Sequence, residues 1–373
     1  MYTFFWRAST VPFIKNRIPG KFIILAGLLL WVCFYYSRSL GHNGIGSFTK
    51  IQEFISMTWM GILFLTFIPV LVTDLVTGFG YFLPRYSSSA RGIALFAGLL
   101  LSAIALIQGL RPPVIQNYEI YVSGLRDELD GITIVAVSDT HLGSLIGPRW
   151  LEARRAQISE QKPDLIVLLG DISEGHGESD EKLLPVLNRF SAPLGVWAVL
   201  GNHEFHSHRN TGKSLIEMTS FHILRNSWSE VLPSLVLAGV DDLTSSQHSG
   251  RNDDLISESL KNRPQGATIL LSHTPWQIEK AANAGVDLML SGHTHGGQIW
   301  PFDYIAGSRY KFFEGWHKIK SMNLIISRGT GTWGPRMRLW CPCEILRITL
   351  HPGKIKTTVK ADGISILESD QEK

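Results

Sequence analysis

Three long apolar runs near the N-terminus set the first constraint on this chain. Residues 22–36, 54–73 and 92–110 carry no charged side chain. A helix needs about 20 such residues to cross roughly 30 Å of hydrocarbon. Lipid also forces a backbone to satisfy its own hydrogen bonds, so a spanning segment of this kind is a helix. The second and third runs meet that length. The first is a little short and reads equally as an interfacial or re-entrant segment. Trp31, Tyr35, Tyr36, Trp59, Tyr81 and Tyr86 stand at or near the run ends, where interface aromatics gather. Buried core helices of a soluble protein are the competing reading, but three such runs fall in one block without amphipathic spacing. A cleaved signal peptide would explain the first run only. Asp74, just past the second run, is expected at the headgroups.

Lys and Arg in the short loops set the expected orientation. Arg7, Lys15, Arg17 and Lys21 precede the first run, Arg38 and Lys50 follow it, Arg85 and Arg91 precede the third, and Arg111 and Arg126 come after. Three spans with the N-terminus inside put the part after residue 111 on the non-cytoplasmic side; if the first run does not cross, the same rule is ambiguous. Overall composition reflects the same block: 45% of residues are hydrophobic and 18% charged. The net charge of +3 is too small to argue for a nucleic-acid partner. Cys33 lies in an apolar run, and Cys341-Pro342-Cys343 is too tight for an easy mutual disulfide.

Arg111-Pro112-Pro113 ends the third run, since proline stops a helix and biases the preceding residue toward extended structure. Charges then return, and short runs rich in Val, Ile and Leu predict strands over 132–137, 165–169, 195–200, 235–240, 268–271, 286–290, 324–327 and 345–350. Helices are expected over 150–161 and 180–190. This alternation argues for an α/β arrangement with buried strands. The expected organisation is a membrane segment with about three transmembrane helices over 1–111, a linker and first strand over 112–130, one domain over 131–365, and a polar tail over 366–373.

Five motifs lie along that domain, mostly at the ends of predicted strands. They are Ser138-Asp139-Thr140-His141, Gly170-Asp171, Gly201-Asn202-His203-Glu204, Ser272-His273 and Gly292-His293-Thr294-His295. In open α/β sheets, ligands gather beyond the C-terminal strand ends, so separate loops can converge on one site. Asp, Asn and His without Cys suit Mn, Fe, Zn or Ni rather than a structural zinc. A carboxylate can bridge two such ions, and the pair can activate a water against a phosphoryl group. A histidine beyond the ligands can protonate the leaving oxygen.

The ordered set Asp-x-His, Gly-Asp, Gly-Asn-His-Glu, a lone His and Gly-His-x-His resembles the calcineurin-like metallophosphoesterase superfamily from about residue 130 to 350. The resemblance implies a two-sheet sandwich flanked by helices. It also implies two divalent metal ions. Asp139, His141 and His295 would hold the first, Asn202, His273 and His293 the second, with Asp171 bridging and His203 as general acid or phosphate contact. Glu204 stands where many relatives carry Asp, at a position outside the ligand set. Gly292 to Gln298 and Gly329 to Pro335 further resemble the membrane-associated branch containing bacterial phosphodiesterases and a UDP-diacylglucosamine pyrophosphohydrolase. That branch implies a phosphorylated substrate, with lipid-linked compounds among the classes to consider, and membrane lipids as partners. A non-catalytic, metal-bound scaffold on a membrane anchor is the alternative; the complete ligand set argues against it.

Weaker candidates remain. Arg336 and Arg338 follow the Gly-rich turn and could pair with phosphate. His176, His206 and His208 lie near the motifs but read more readily as surface-loop residues. Trp333 is open between a place over the site mouth and ordinary core.

Overall fold

The apolar runs fold as helices α1 (Gly20–Ser39), α2 (Gly46–Val76) and α3 (Pro84–Leu110). The computed structural model describes residues 11, 17–39, 46–174, 178–205, 214–248, 254–353, 358–361 and 364–367. The chain divides into two units, one of Met1–Arg111 with Gly334–Trp340, the other of Pro112–Trp333 with Cys341–Lys373.

In the helical unit, Gly20–Ser37, Phe48–Val76 and Pro84–Leu110 are long and apolar enough to cross a bilayer, with mean hydropathies of 1.6, 2.1 and 2.3. Leu28, Leu29, Val32, Phe67, Val72, Ile93, Phe96 and Leu100 are exposed on their surfaces. So continuous an apolar exterior is what a lipid environment covers. Pro84 opens α3 at its first turn, where a missing N–H costs nothing, and Arg111 leaves it in extended conformation ahead of Pro112. A Cβ on Gly98 would fall 2.6 Å from the Thr66 Cα, so α2 and α3 approach closely only because that position is glycine.

Asp74 stands in the last turn of α2. It is buried, with its carboxylate accepting from Arg91 Nε of α3 at 2.7 Å. The pairing is what lets both charges be buried. The Gly334–Trp340 segment joins this unit through two hydrogen bonds. Arg338 N–H donates to Ala105 O at 2.8 Å, and Trp340 N–H donates to Gln108 Oε1 at 2.9 Å.

The second unit holds two six-stranded sheets. The strands in chain order are β1 (Val114–Val122), β2 (Thr133–Val137), β3 (Leu165–Leu168), β4 (Val196–Ala198), β5 (His222–Ile223), β6 (Ser227–Leu232), β7 (Leu235–Gly239), β8 (Ala267–Leu271), β9 (Leu288–Ser291), β10 (Gly315–Ile319), β11 (Met322–Ile326) and β12 (Glu344–Pro352). The first sheet runs β1-β12-β2-β3-β4-β5 and the second β10-β11-β9-β8-β7-β6. β2, β3, β4 and β5 are mutually parallel, as are β7, β8, β9 and β11. A separate hairpin pairs β13 (Thr358–Ala361) with β14 (Ile364–Leu367).

Strand alternation sorts the side chains into layers. Ile134, Ala136, Leu165 and Val167 of the first sheet meet Leu235, Leu237, Ile269, Leu271, Leu288 and Leu290 of the second in one core. The opposite faces, Val135, Val137, Ile166 and Leu168, lie under α4 (Pro148–Ser159) and α5 (Glu178–Leu187) through Leu151, Ile158, Leu183 and Leu187. On the far side, Ala238, Leu270 and Met289 pack with Leu255, Ile256, Ile278 and Ala281 of short helices. The fold is therefore a two-sheet sandwich flanked by helices. All eight predicted strands are present within a few residues. β5, β6, β10 and the β13–β14 hairpin were not predicted; β5, β6 and β10 each occupy a sheet edge, the last two with partly exposed, polar residues, and the hairpin reaches into the expected tail.

Candidate metal centre

Each motif sits where a parallel strand stops. Asp139 and His141 follow β2, Asp171 follows β3, and Asn202 and His203 follow β4 of the first sheet. His273 follows β8, and His293 and His295 follow β9 of the second. The two sets meet because the loops cross between sheets: His273 Nδ1 lies 2.7 Å from Leu169 O, and His293 N–H donates to the Asp139 carboxylate at 3.0 Å.

The backbone turns so sharply here that five non-glycine residues take left-handed conformations. Their φ values are 51° for Asp139, 46° for His141, 51° for Asp171, 70° for His293 and 53° for His295. Such conformations cost about 1–3 kcal/mol each and persist only where the surroundings impose them. Asp139 N–H donates to Gly170 O and His141 N–H to Asp171 O, both at 3.1 Å, and Thr330 N–H to Ser138 O at 2.7 Å. Gly292 is required by space: a Cβ there would come within 2.4 Å of Asp139 Oδ2.

Three groups of side chains converge, each with its ligand atoms within 4.8 Å of one another: Asp139 with His141 and His295, His141 with Asp171 and His203, and Asp171 with His273 and His293. His141 Nε2 and His295 Nε2 face each other at 2.9 Å, with Asp139 Oδ1 3.5 Å from the latter. His273 Nε2 lies 3.2 Å from Asp171 Oδ2, from His293 Nδ1 and from Asn202 Oδ1. Imidazole nitrogens aimed at one point are a poor hydrogen-bonding arrangement and a good cation cradle. Oxygen and nitrogen donors without thiolate fit divalent ions such as Mn, Fe, Zn or Ni.

His203 stands slightly apart. Its Nε2 is 3.9 Å from Asp171 Oδ2, its Nδ1 is 3.2 Å from Glu174 Oε1, and its backbone N–H donates to Asp171 Oδ1 at 2.9 Å. Glu174 also holds His141 Nδ1. It was not legible from the motifs, although it follows Asp171 by only three positions. Glu204 gains a definite place as well. Its buried carboxylate accepts the backbone N–H groups of Asp171 at 2.9 Å, Ile172 at 2.7 Å, Ser173 at 3.2 Å and Gly201 at 2.8 Å, so it shapes the Asp171 turn.

Electrostatics follow from this crowding. Burial opposes the charged form of His203, but the Asp171, Glu174 and Glu204 carboxylates outweigh it and raise the ring to about 9. Burial would push Asp171 up, yet His273, His203 and His141 hold it well below the usual carboxylate range. Glu174 likewise stays low because His141 and His203 overcome its burial. Burial and the neighbouring His273 push His293 down, despite the nearby acids.

Arg336 and Arg338 belong to the segment grouped with the helices, and Arg338 is wholly buried there. His176, His206 and His208 lie outside the described residues. Cys341 and Cys343 are free and buried, with their thiols donating to His295 O at 3.3 Å and Gly331 O at 3.1 Å.

The calcineurin-like phosphoesterase family profile matches residues 132–297, which hold every motif. An uncharacterized metallophosphoesterase of Aquifex aeolicus is 36% identical over 226 residues, covering 59% of this chain and 85% of that relative. The chain belongs to the calcineurin-like metallophosphoesterase family. An uncharacterized metallophosphoesterase of Campylobacter jejuni is 30% identical over 247 residues, covering 66% of this metallophosphoesterase chain and 65% of the relative. The transmembrane protein with metallophosphoesterase domain of Danio rerio is 29% identical over 270 residues, covering 69% and 62%. This metallophosphoesterase therefore spans just under two thirds of the length of those two relatives.

Proposed function

We propose that this membrane protein is a dinuclear-metal-dependent phosphoester hydrolase of phosphodiesterase or pyrophosphohydrolase type, acting on a lipid-linked or cell-envelope substrate. The observation that carries the reading is the convergence of like groups: His141 on His295, His273 on His293, with Asp171 between the two sets. In this reading Asp139, His141 and His295 would hold one ion, Asn202, His273 and His293 would hold the other, and Asp171 would serve both. The bound pair supplies Lewis-acid stabilisation of a phosphoryl group and acidifies a water for in-line attack.

The chain's own groups do the rest. Glu174 engages His203 Nδ1 and so turns Nε2 toward the Asp171 side of the centre. Without ions, the Asp171, Glu174 and Glu204 carboxylates raise the ring to about 9, and Glu174 on Nδ1 favours the form with a proton on each nitrogen. His203 then passes its Nε2 proton to the ester oxygen as the P–O bond breaks, so the alcohol leaves neutral. Glu204 keeps the Asp171 turn in place through its four backbone contacts. The three apolar helices and the transmembrane relative support a substrate at the bilayer. The distribution of Lys and Arg favours a centre on the non-cytoplasmic side.

The test is turnover of bis-p-nitrophenyl phosphate and p-nitrophenyl phosphate by the manganese-loaded full chain. The diester should be preferred, and His203→Ala should lower kcat by about 10²–10⁴-fold. No cleavage of either compound, or an unaffected His203→Ala variant, points to a non-catalytic metal-bound module instead.

A further inference from the structure

Beside the metal centre, the catalytic unit exposes large apolar side chains where a soluble surface would be polar. The short helix Phe302–Gly307 presents Phe302, Tyr304 and Ile305, which are 43%, 72% and 60% exposed. Trp333 is 50% exposed. Both elements are fastened to the loop that carries His293 and His295. A Cβ on Gly297 would fall 2.3 Å from the Asp303 Cα, which shows how closely the helix meets that loop. The Gln298 side chain donates to Trp333 O and accepts from Trp333 N–H, each at 2.9 Å. An aromatic path links the ridge back to the site, because the Tyr310 ring lies 6.2 Å from His293 and 6.2 Å from Phe313, which faces Gly307.

We propose that this ridge, Phe302, Tyr304, Ile305 and Trp333, is a lipid-contact surface that seats the acyl side of an amphiphilic phosphoester while its phosphate reaches the metal centre. The proposal rests on the phosphoesterase reading and names the class of substrate for that site. Composition selects the occupant. Phe, Tyr and Trp with an aliphatic neighbour are the side chains that settle at a bilayer interface. Two exposed cations follow the ridge, Arg309 and Lys311, the second shared with Glu279. An apolar ridge beside basic groups complements an anionic lipid surface. The chain's own apolar helices are long enough to anchor it to a bilayer, and such tethering lowers the affinity the ridge needs by itself.

Two measurements on the full chain in nanodiscs containing phosphatidylglycerol test this. A nitroxide placed through Tyr304→Cys should show oxygen accessibility typical of lipid, while one placed through Glu230→Cys on a sheet edge should report water. In the kinetic arm, phosphatidylglycerol vesicles should compete with bis-p-nitrophenyl phosphate hydrolysis. A Phe302→Ser/Ile305→Ser variant should need roughly tenfold more vesicle lipid for the same inhibition. Its turnover of the soluble diester, and its inhibition by inorganic phosphate, should stay unchanged. An aqueous signal at position 304, or equal vesicle inhibition of both proteins, overturns the proposal; equal inhibition with a dry label points to a protein partner on the ridge. If the soluble diester is not cleaved at all, the phosphoesterase reading fails while the nitroxide still reports on the surface.

Discussion

The two units bury polar groups in different ways. In the helices, a cation meets an anion: Arg91 Nε donates to the Asp74 carboxylate at 2.7 Å. At the metal centre of the sheet unit, imidazole also faces imidazole, at 2.9 Å and at 3.2 Å, although elsewhere the same unit holds an ordinary pair, Arg328 with Glu344. A buried charge is tolerated only when something opposite compensates it. The helical unit contains its compensation and needs no ligand for it. The metal centre crowds imidazole nitrogens against one another beside its carboxylates, an arrangement that suits added cations. Buried polarity alone therefore does not mark a site; the signs and types of the neighbours do.

The largest effect should come from breaking the self-contained pair. Arg91→Ala leaves Asp74 buried without its cation, which costs about 3–5 kcal/mol in comparable buried pairs. The double variant Asp74→Asn/Arg91→Gln should cost much less, since no net charge is stranded. Unfolding of the detergent-solubilised chain, followed by helical circular dichroism, measures both. If the single variant is no worse than the double, the pair is not compensating charge and the contrast with the metal centre collapses.

A second effect concerns the centre without its ions. The His203 ring is raised from its usual 6.5 to about 9 in the folded chain. A folded value above the unfolded one contributes stability that is complete below about pH 6.5 and lost as pH rises through about 9, on the order of 3 kcal/mol in full. Chelated wild type should therefore be more stable than chelated His203→Gln at pH 6, and that lead should shrink by pH 9.5. A difference in melting temperature that is flat or grows with pH would contradict the electrostatic account of the site.

Legibility from sequence follows the same division between what is local and what is distant. β3 and β8 are buried on both faces, so β3 reads as an unbroken Leu-Ile-Val run and β8 as Ala-Thr-Ile-Leu-Leu with a single hydroxyl. β6 and β10 carry Glu230, His317 and Lys318 because an edge strand has water beside it, and periodicity fails there. The ligands were legible because Asp139 with His141, and His293 with His295, are adjacent in sequence. Glu174 was not, since its partners His141 and His203 come from other loops. Glu204 was read as lying outside the ligand set, but its work on the Asp171 turn depends on a chain reversal that no spacing reveals. Asp74 was legible as a helix-end residue, but its burial was not, because Arg91, which allows it, follows 17 positions later.

The smallest effect sharpens the comparison most, because it removes a compensating charge that belongs to the protein from within the metal centre. Glu174 touches Nδ1 of both His141 and His203, so it orients one ring toward the ion and the other toward the leaving oxygen. Glu174→Gln keeps the size of the side chain and one acceptor oxygen but removes the charge. Groups that orient ligands from behind typically affect activity or metal affinity by about 10–100-fold when altered. The loss should appear in kcat on the soluble diester with KM little changed. There should also be a direction that mere structural damage would not produce. Losing the negative charge lowers the His203 pKa, so the acid is spent sooner and the alkaline limb of the rate profile moves to lower pH. Asp at this position should keep the limb near its original place while losing rate through reach alone. An alkaline limb that stays fixed in Glu174→Gln would mean that Glu174 serves His141 only, and that His203 owes its charge to Asp171.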